Sequence, residues 1–224
     1  MSPTTNFLSH GATIPVELFS PSGTIANHAV VVIAHGSDGM VAPWAAMIRD
    51  YAGALAAKGF TAVIPYYFGG PDGTPPSQPA DVFSRLAHWQ ITLADAIAFA
   101  KTLPHVDGSR LGLLGFSLGG FLSLRLRSSA KVVVEYFAPD LPPGGIGSAT
   151  TSVPFAQIHH GEADTVVVFQ NAKGIEQALT HEGTATDLHP YADAGHGFKG
   201  DHSGDSAART LSKARTLEFI GAHL

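Results

Sequence analysis

A glycine-rich hexapeptide at residues 115–120, Gly-Phe-Ser-Leu-Gly-Gly, constrains the fold of this chain more than any other feature. The apolar residues 110–114 precede it and are typical of a strand, and residues 121–127 have the composition of a helix. Small residues flank Ser117 in this pattern. A strand, then Gly-x-Ser-x-Gly, then a helix is typical of a strained turn that lifts a serine hydroxyl above a sheet. The motif therefore predicts a layered α/β structure with a nucleophile at residue 117.

Strands and helices are predicted to alternate along the rest of the chain. Short alternating or continuous apolar runs predict strands, and longer stretches with helical spacing predict helices. The predicted strands are residues 12–19, 28–34, 60–64, 130–137, 154–159 and 184–191. The predicted helices are residues 43–58, 81–103, 166–179 and 206–223. This alternation favours a mostly parallel sheet flanked by helices. With 224 residues and no repeat or linker, we expect one domain, residues 1–224.

Two further catalytic candidates follow predicted strands downstream of the serine. Asp164 lies in the loop after the strand at 154–159, and His196 lies in the loop after the strand at 184–191. Active sites of open parallel sheets form at the carboxyl ends of the strands. The order serine, acid, histidine is that of the α/β-hydrolases and differs from those of chymotrypsin and subtilisin. We therefore predict an α/β-hydrolase fold in which Ser117, Asp164 and His196 form the catalytic triad.

The chemistry of these three residue types is complementary. A serine hydroxyl needs a base within hydrogen-bonding reach, so His196 would take the proton of Ser117 while Asp164 holds the imidazole in the useful tautomer. The backbone N–H of Leu118 is expected to stabilise the oxyanion. The second donor should come from the loop at residues 35–39, where Ser37 is favoured because a glycine precedes it.

Other polar residues have weaker claims to these roles. Asp193 precedes His196 in the same loop and cannot easily reach its ring. His35 has no acid partner nearby and is expected to shape its loop. The adjacent residues His159 and His160 would point to opposite faces of a strand, and the chain has no histidine motif typical of a metal site. No metal and no other cofactor are expected.

Four residues are candidates for substrate binding. Residues 65–79 are rich in proline, glycine and aromatic side chains and should form one wall of the site. Tyr67 and Phe68 belong to this segment, with packing beneath the loop as an equal alternative. Asp38 and Val166 lie close in sequence to catalytic elements. Because no lid of apolar helices is predicted, we expect neutral esters with about two to six acyl carbons.

The motifs together resemble those of the dienelactone hydrolase family of the α/β-hydrolase superfamily. The resemblance rests on the short chain, the elbow ending in two glycines, Gly-Glu-Ala-Asp at 161–164 and Gly-His-Gly-Phe at 195–198. It covers nearly the whole chain. It implies a parallel-dominated sheet flanked by helices, a minimal or absent cap domain, and no requirement for a metal.

The chain departs from the founding members of that family at two places. Those members use a cysteine where this chain has Ser117, and they pair it with a glutamate where this chain has Gly36. They also hold the lactone carboxylate with arginines. Here Lys199 is the cation that follows the predicted histidine, and Arg85 is an uncertain counterpart of another arginine. Simple esters are therefore expected as substrates ahead of true dienelactones.

Composition excludes several other functions. A formal charge of −5 without a basic patch argues against nucleic acid and acidic membranes as partners. The absence of cysteine excludes disulfides and thiolate sites. We expect a cytoplasmic monomer or homodimer acting as a serine hydrolase on small to medium esters or lactones. The alternatives are a dienelactone hydrolase proper, a peptidase or thioesterase with the same triad, and a small-molecule binding protein with little turnover.

Overall fold

The computed structural model describes residues 4–22, 28–69, 79–142, 145–147 and 151–224. The backbone packs as two compact units, which are described in turn. Unit 1 is Met1–Leu111, and unit 2 is Gly112–Leu224.

Unit 1 combines antiparallel and parallel strand pairs. Strand β2 pairs antiparallel with both β1 and β4, and β4 pairs parallel with β3. All residues of β3 are buried, as expected of a continuous apolar run. Helix α1 packs against β4, and α2 packs against β1 and β3. The elements are β1 (Thr4–Ser9), β2 (Ala12–Phe19), β3 (His28–Ala34), α1 (Trp44–Ala57), β4 (Thr61–Pro65) and α2 (Pro79–Lys101).

Unit 2 is built on parallel strands. Strand β5 (Val106–Phe116) begins in unit 1 and continues into unit 2, where it pairs parallel with β6, as β6 does with β7 and β7 with β8. Helix α3 packs against β6, α4 against β7 and β8, and α5 against β6 and β7. The elements are α3 (Leu118–Arg125), β6 (Val132–Tyr136), β7 (Phe155–Gly161), α4 (Gln170–His181), β8 (Ala185–Tyr191) and α5 (Asp205–His223).

The mostly parallel sheet flanked by helices is confirmed. Strand β1 was not predicted because its side chains lack a long apolar run, and pairing with β2 stabilises it. Helix α4 begins at Gln170, four residues later than predicted, because the preceding residues form the loop that carries Asp164. No helix in the described ranges is long and apolar enough to cross a membrane. The single domain stays a prediction, and most of the predicted proline-rich wall, at residues 70–78, lies outside the described residues.

Candidate active site

Ser117 occupies a strained turn between β5 and α3. Its backbone has φ 52° and ψ −118°, a conformation that residues with a side chain rarely adopt. Gly115 permits the turn because a Cβ at that position would collide with the carbonyl of Gly119. The Ser117 N–H donates to the carbonyl oxygen of Tyr136 at 2.8 Å, which ties the turn to the end of β6. The hydroxyl-bearing residue is thereby held half-buried at the carboxyl end of its strand.

Asp164 and His196 form a directed hydrogen-bonded pair. The Nδ1 atom of His196 lies 2.7 Å from Oδ2 of Asp164. The backbone N–H groups of Val166 and Val167 both donate to the other carboxylate oxygen at 2.8 Å, which fixes the plane of the carboxylate. An ionised carboxylate only accepts hydrogen bonds, so Nδ1 of His196 carries its proton and Nε2 is left as an acceptor. This is the tautomer that a general base requires.

The carboxylate of Asp164 is completely buried yet stays ionised. Burial alone would raise its pKa, but hydrogen bonds from His160 and His196 outweigh burial and hold the pKa well below its usual range. The side chain of Asp164 has no exposed surface, whereas that of His196 is 13% exposed. The imidazole therefore reaches the surface with a permanent negative charge behind it.

The loops that carry Asp164 and His196 are joined through their backbones. The N–H of Ala163 donates to the carbonyl of Ala194 at 3.0 Å, and the N–H of Glu162 donates to the carbonyl of Tyr191 at 2.9 Å. Gly161 permits this close approach, since a Cβ there would collide with the carbonyl of Ala194. The separation of the acid from the histidine is therefore set by main-chain contacts.

Asp205, at the start of α5, organises the histidine loop from its other side. Its carboxylate accepts three backbone N–H groups, from Gly195 and Gly200 at 2.8 Å each and from His202 at 3.1 Å. Burial would raise the pKa of Asp205, but these bonds lower it overall. Because Gly195 immediately precedes His196, the carboxylate fixes the backbone from which the imidazole projects.

Phe137 links the serine turn to the histidine. It follows Tyr136, whose carbonyl binds the Ser117 N–H, and its ring centroid lies 4.7 Å from that of His196. A second aromatic ring, that of Phe198, contacts Phe137 at 5.5 Å. The three candidate catalytic residues thus lie in one unit and share a hydrogen-bonded and aromatic framework.

The candidates in unit 1 lie in and behind the loop that follows β3. The loop contains Ser37 and an exposed Asp38, and it turns through a hydrogen bond from the N–H of Gly39 to the carbonyl of Gly36 at 3.0 Å. His35 is buried, and burial lowers its pKa to about 4, so it is neutral. A neutral His35 stacked on a neighbouring ring agrees with the expected role in shaping the loop.

Tyr67 and Phe68 make the contacts of packing residues. Tyr67 is completely buried, stacks on His35 with 4.1 Å between ring centroids, and donates its hydroxyl proton to the carbonyl of His35 at 2.7 Å. Phe68 is 5% exposed and packs against Trp89 at 4.6 Å. Of the two roles considered for these rings, the described contacts correspond to support of the β3 loop from beneath.

Val166 and Asp193 complete the predicted set. Val166 is 69% exposed beside the buried Asp164, so it presents an apolar surface next to the candidate site. The Asp193 carbonyl accepts the N–H of Gly204 at 2.9 Å, while the imidazole of His196 pairs with Asp164.

Three residues at this site were missed by sequence reasoning. His160 lies 3.4 Å from Asp164, measured from Nε2 to Oδ2, although only its orientation opposite to His159 was predicted. One sequence signal could have pointed to Asp205. It is an acidic residue at the start of a predicted helix, where its negative charge interacts favourably with the helix dipole. No sequence pattern indicated a role for Phe137, because its contact with the His196 ring depends on the direction of the backbone after β6. No cluster of three or more residues typical of metal ligands occurs in the described ranges.

Comparison with known proteins assigns the family. The model of the dienelactone hydrolase family matches residues 14–224, a span that contains all three candidate catalytic residues. The chain belongs to the dienelactone hydrolase family. It is therefore a carboxylic ester hydrolase, as the sequence predicted.

Two relatives illustrate how far the dienelactone hydrolase family diverges. Carboxymethylenebutenolidase 2 of Cupriavidus pinatubonensis is 30% identical over 139 residues, which are 57% of this chain and 58% of that protein. A relative from Synechocystis sp. is 24% identical over 193 residues, which are 76% of this chain and 78% of that protein.

Solved structures confirm the α/β-hydrolase fold. A dienelactone hydrolase-like promiscuous phosphotriesterase from metagenomic libraries has a TM-score of 0.81 at 18% identity, covering 100% of this chain and 98% of that one. A thermophilic esterase from Thermogutta terrifontis, with propionate bound, has a TM-score of 0.68 at 17% identity, covering 97% of this chain and 94% of that one.

Proposed function

We propose that this member of the dienelactone hydrolase family hydrolyses small to medium carboxylic esters or lactones through an acyl-enzyme intermediate on Ser117. The observation that carries the proposal is the 2.7 Å contact between His196 and Asp164 in the unit that also holds the strained Ser117 turn. An unprotonated Nε2 on His196 supports its role as the base, and the ionised Asp164 supports its role as the orienting acid.

In the first half of the reaction, Oγ of Ser117 attacks the ester carbonyl carbon while His196 takes the hydroxyl proton. The carbonyl oxygen becomes an oxyanion. Leu118 is suited to bind it, because the first N–H groups of a helix have no intrahelical acceptor. Ser37 stays the predicted second donor. Collapse of the intermediate expels the alcohol, which receives its proton from His196, and leaves the acyl group on Ser117.

Water completes the cycle by the same steps. His196 takes a proton from water, whose oxygen attacks the acyl carbon, and the second tetrahedral intermediate expels Ser117 with its proton restored. The negative charge of Asp164 stabilises the imidazolium that forms in each half. The residues of this chain that we propose to carry out the reaction are Ser117, His196 and Asp164, with Leu118 and Ser37 as oxyanion donors.

The chemistry beside the site favours neutral substrates. Val166 offers an exposed apolar side chain next to Asp164, and Asp38 adds a negative charge to the loop after β3. Neither residue is a cation, so neither offers a carboxylate-bearing lactone a paired charge in return for its lost hydration. The propionate bound by the Thermogutta esterase is a short acyl group, which fits the same preference. A cytoplasmic monomer or homodimer stays a prediction from the sequence.

Covalent labelling tests the nucleophile. A fluorophosphonate probe should add one label to the wild-type protein, and peptide mapping should locate it on Ser117. The Ser117→Ala variant should take no label, and Ser203→Ala, a change at an exposed serine of the same unit, should label normally. A binding protein without turnover would fail to hydrolyse p-nitrophenyl acetate at a rate above background.

Kinetics with matched substrates test the reaction class. The kcat/KM for p-nitrophenyl butyrate should exceed those for p-nitrophenyl palmitate, for a dienelactone and for the matched anilide. A higher kcat/KM for the dienelactone than for the butyrate would indicate a dienelactone hydrolase proper. A faster anilide or thioester would point instead to a peptidase or thioesterase, and inhibition by EDTA that added metal reverses would point to a metal site.

A further inference from the structure

A second imidazole approaches the candidate acid, at the same carboxylate oxygen that pairs with His196. His160 is completely buried at the end of β7, and its Nε2 lies 2.8 Å from the carbonyl oxygen of Val167 and 3.4 Å from Oδ2 of Asp164. A carbonyl oxygen only accepts hydrogen bonds, so Nε2 of His160 carries a proton. Asp164 therefore stands between two imidazole N–H groups.

The far side of His160 presents an unexplained pair of polar atoms. Its Nδ1 is buried without a partner among the described residues, and so is Oε1 of Glu135. The other oxygen of Glu135 accepts the N–H of Ala138 at 2.8 Å. A buried polar atom without a hydrogen-bond partner lowers the stability of the fold. A carboxylate oxygen and an imidazole nitrogen in this state on neighbouring strands therefore call for a common explanation.

The strand register places these two side chains together. Glu135 of β6 is the register partner of Ile158 of β7, and His160 lies two residues further along the same face. Such diagonal neighbours are within reach of long side chains. The next pair in the register, Tyr136 and His159, points to the opposite face, where their rings lie 4.5 Å apart. Glu135 and His160 thus face each other on the side of Asp164.

We propose that Glu135 and His160 share one buried proton behind Asp164, and that this pair acts as a positioning unit that sets the proton affinity of His196. The proposal rests on the proposed triad. With the proton on His160, the pair is a glutamate and an imidazolium, and with the proton on Glu135 it is a glutamic acid and an imidazole. Both arrangements are neutral overall, and in either one the two groups carry a single proton between them, coupled by charge and not by a direct hydrogen bond between Oε1 and Nδ1.

Few other charges act on this pair among the described residues. Beside Glu135 and Asp164, the ring of Phe169 lies 5.9 Å from that of His160, and Pro190 of β8 is its register partner. The Lys173 ammonium lies 5.1 Å from the Phe169 centroid. Helix α3 presents Gly120, which has no side chain, to Glu135.

The direction of the pKa shifts agrees with retention of the shared proton. Burial raises the pKa of Glu135 to about 7. Burial would lower the pKa of His160, but the hydrogen bond with Asp164 and the charge of Glu135 raise it overall. Both groups therefore hold a proton more strongly than they would in water, and the pair titrates as a unit.

The mechanism by which the pair acts is electrostatic. Positive charge on His160 partly offsets the charge of Asp164, and so weakens the attraction of that carboxylate for the cationic form of the His196 ring. Glu135 also holds the backbone after β6, because it accepts the N–H of Ala138. Ala138 directly follows Phe137, whose ring packs against His196.

Glu135→Gln tests the proposal with little change in shape. A glutamine keeps an oxygen for the Ala138 N–H and removes the negative charge that favours a proton on His160, so that imidazole becomes neutral. The acid limb of the kcat/KM–pH profile should then move to higher pH by about half a unit to one unit. His160→Gln should produce a shift in the same direction. The double variant should shift no further than the single ones, because they remove the same charge.

His159→Gln is the matched control, since it changes the adjacent imidazole on the opposite face. The acid limb of this variant should coincide with that of the wild type. If Glu135→Gln folds, retains activity and leaves the acid limb unmoved, the proposal is overturned. The same result follows if His159→Gln moves the limb as far as His160→Gln does.

Spectroscopy of the wild-type protein provides a second readout that needs no active variant. With nitrogen-15 in the histidine rings, assigned by comparison with His160→Gln, both ring nitrogens of His160 should be protonated or proton-sharing at about pH 6, near the ordinary histidine pKa. An Nδ1 that neither carries a proton nor shares one with a neighbouring acid at that pH would overturn the proposal. Loss of labelling at Ser117 or full activity of Ser117→Ala would instead overturn the triad, so the two failures are distinguishable.

Discussion

The two faces of β7 place neighbouring histidines in opposite electrostatic environments. On the α5 face, His159 bonds to the hydroxyl of Tyr191 and the amide oxygen of Gln157, both at 2.8 Å, and to the hydroxyl of Thr216 at 3.1 Å. The Thr216 hydroxyl also bonds to that of Tyr136 at 2.7 Å. All of these hydrogen-bond partners are neutral. Burial, with the electrostatic effects of His189 and Arg215, lowers the pKa of His159 well below its usual range.

The other face of the same strand contains charged partners. His160 is buried to the same extent as His159, yet the carboxylates of Asp164 and Glu135 raise its pKa. The opposite pKa shifts of the two rings therefore come from the charges of their partners, because both rings are equally inaccessible to solvent. The face that carries His159, called the neutral face for its uncharged hydrogen-bond partners, joins β6, β7, β8 and α5. The face that carries His160, called the charged face, contacts Asp164, which pairs with His196. Substitutions on the two faces test this division between a structural and a catalytic face.

The largest expected effect is that of Ser117→Ala, which removes the nucleophile that we propose His196 activates. Ester hydrolysis should fall by about 10⁵- to 10⁶-fold, because the nucleophile of a cooperating triad is removed. Thermal stability should change little, since the hydroxyl makes no contact that holds the fold in the described residues. Measurement of kcat alongside the unfolding midpoint checks both parts. Residual activity above about one per cent of wild type would contradict the assignment.

Asp164→Asn should be the next most damaging change. An amide can donate a proton toward Nδ1 of His196, which favours the tautomer that cannot act as the base, and a loss of about 10³- to 10⁴-fold in kcat is expected. Combining this change with Ser117→Ala should cost little more than Ser117→Ala alone. Additive losses, or full activity of Asp164→Asn, would assign the acid to another residue such as Asp193.

Asp205→Asn tests whether the Asp205 carboxylate fixes the backbone of the histidine loop. One oxygen is lost from a carboxylate that accepts three backbone N–H groups, so the backbone at Gly195 should shift. We expect kcat to fall by about 10- to 100-fold with a smaller change in KM, as is typical of a displaced catalytic group. Asp201→Asn, an exposed change in the same loop, should retain wild-type kcat.

The two faces should also give opposite dependences of stability on pH. His159 has a depressed pKa in the folded state, so the stability it contributes is present above about pH 6.5 and is lost as the pH falls. Glu135 has a raised pKa, so stability should decrease as the pH rises from about 4.5 toward 7. In thermal melts across this range, His159→Gln should remove the first slope and Glu135→Gln the second. Slopes of the same sign would contradict the division.

The smallest effect is expected for Tyr136→Phe on the neutral face. The variant loses one buried hydrogen bond to Thr216, which should lower the free energy of unfolding by about 1 kcal/mol. The kcat should stay within about twofold of wild type, since the Thr216 hydroxyl retains His159 as a partner. Chemical denaturation and steady-state kinetics measure the two quantities. A large loss of activity without a loss of stability would mean that the neutral face takes part in catalysis.

Much of the architecture could be predicted from local sequence patterns. The continuous apolar run of β3 and the boundaries of β2 were predicted closely, and the family was identified from the motifs around Ser117, Asp164 and His196. The triad itself stays a prediction. Edge strand β1 was missed because its formation depends on pairing with β2, which no local pattern reports.

The sequence by itself determined the α/β order, the family and the loops that carry the three candidate catalytic residues, because strand periodicity and tight-turn chemistry are local properties of the chain. Tertiary structure alone decided the surroundings of His160, Glu135 and Asp205. The first two come to the same face only through the register of β6 and β7, and the third reaches the histidine loop only through the approach of α5. Whether a buried imidazole is neutral or cationic depends on the charges that the fold brings to within a few ångströms, and residues distant in sequence supply those charges.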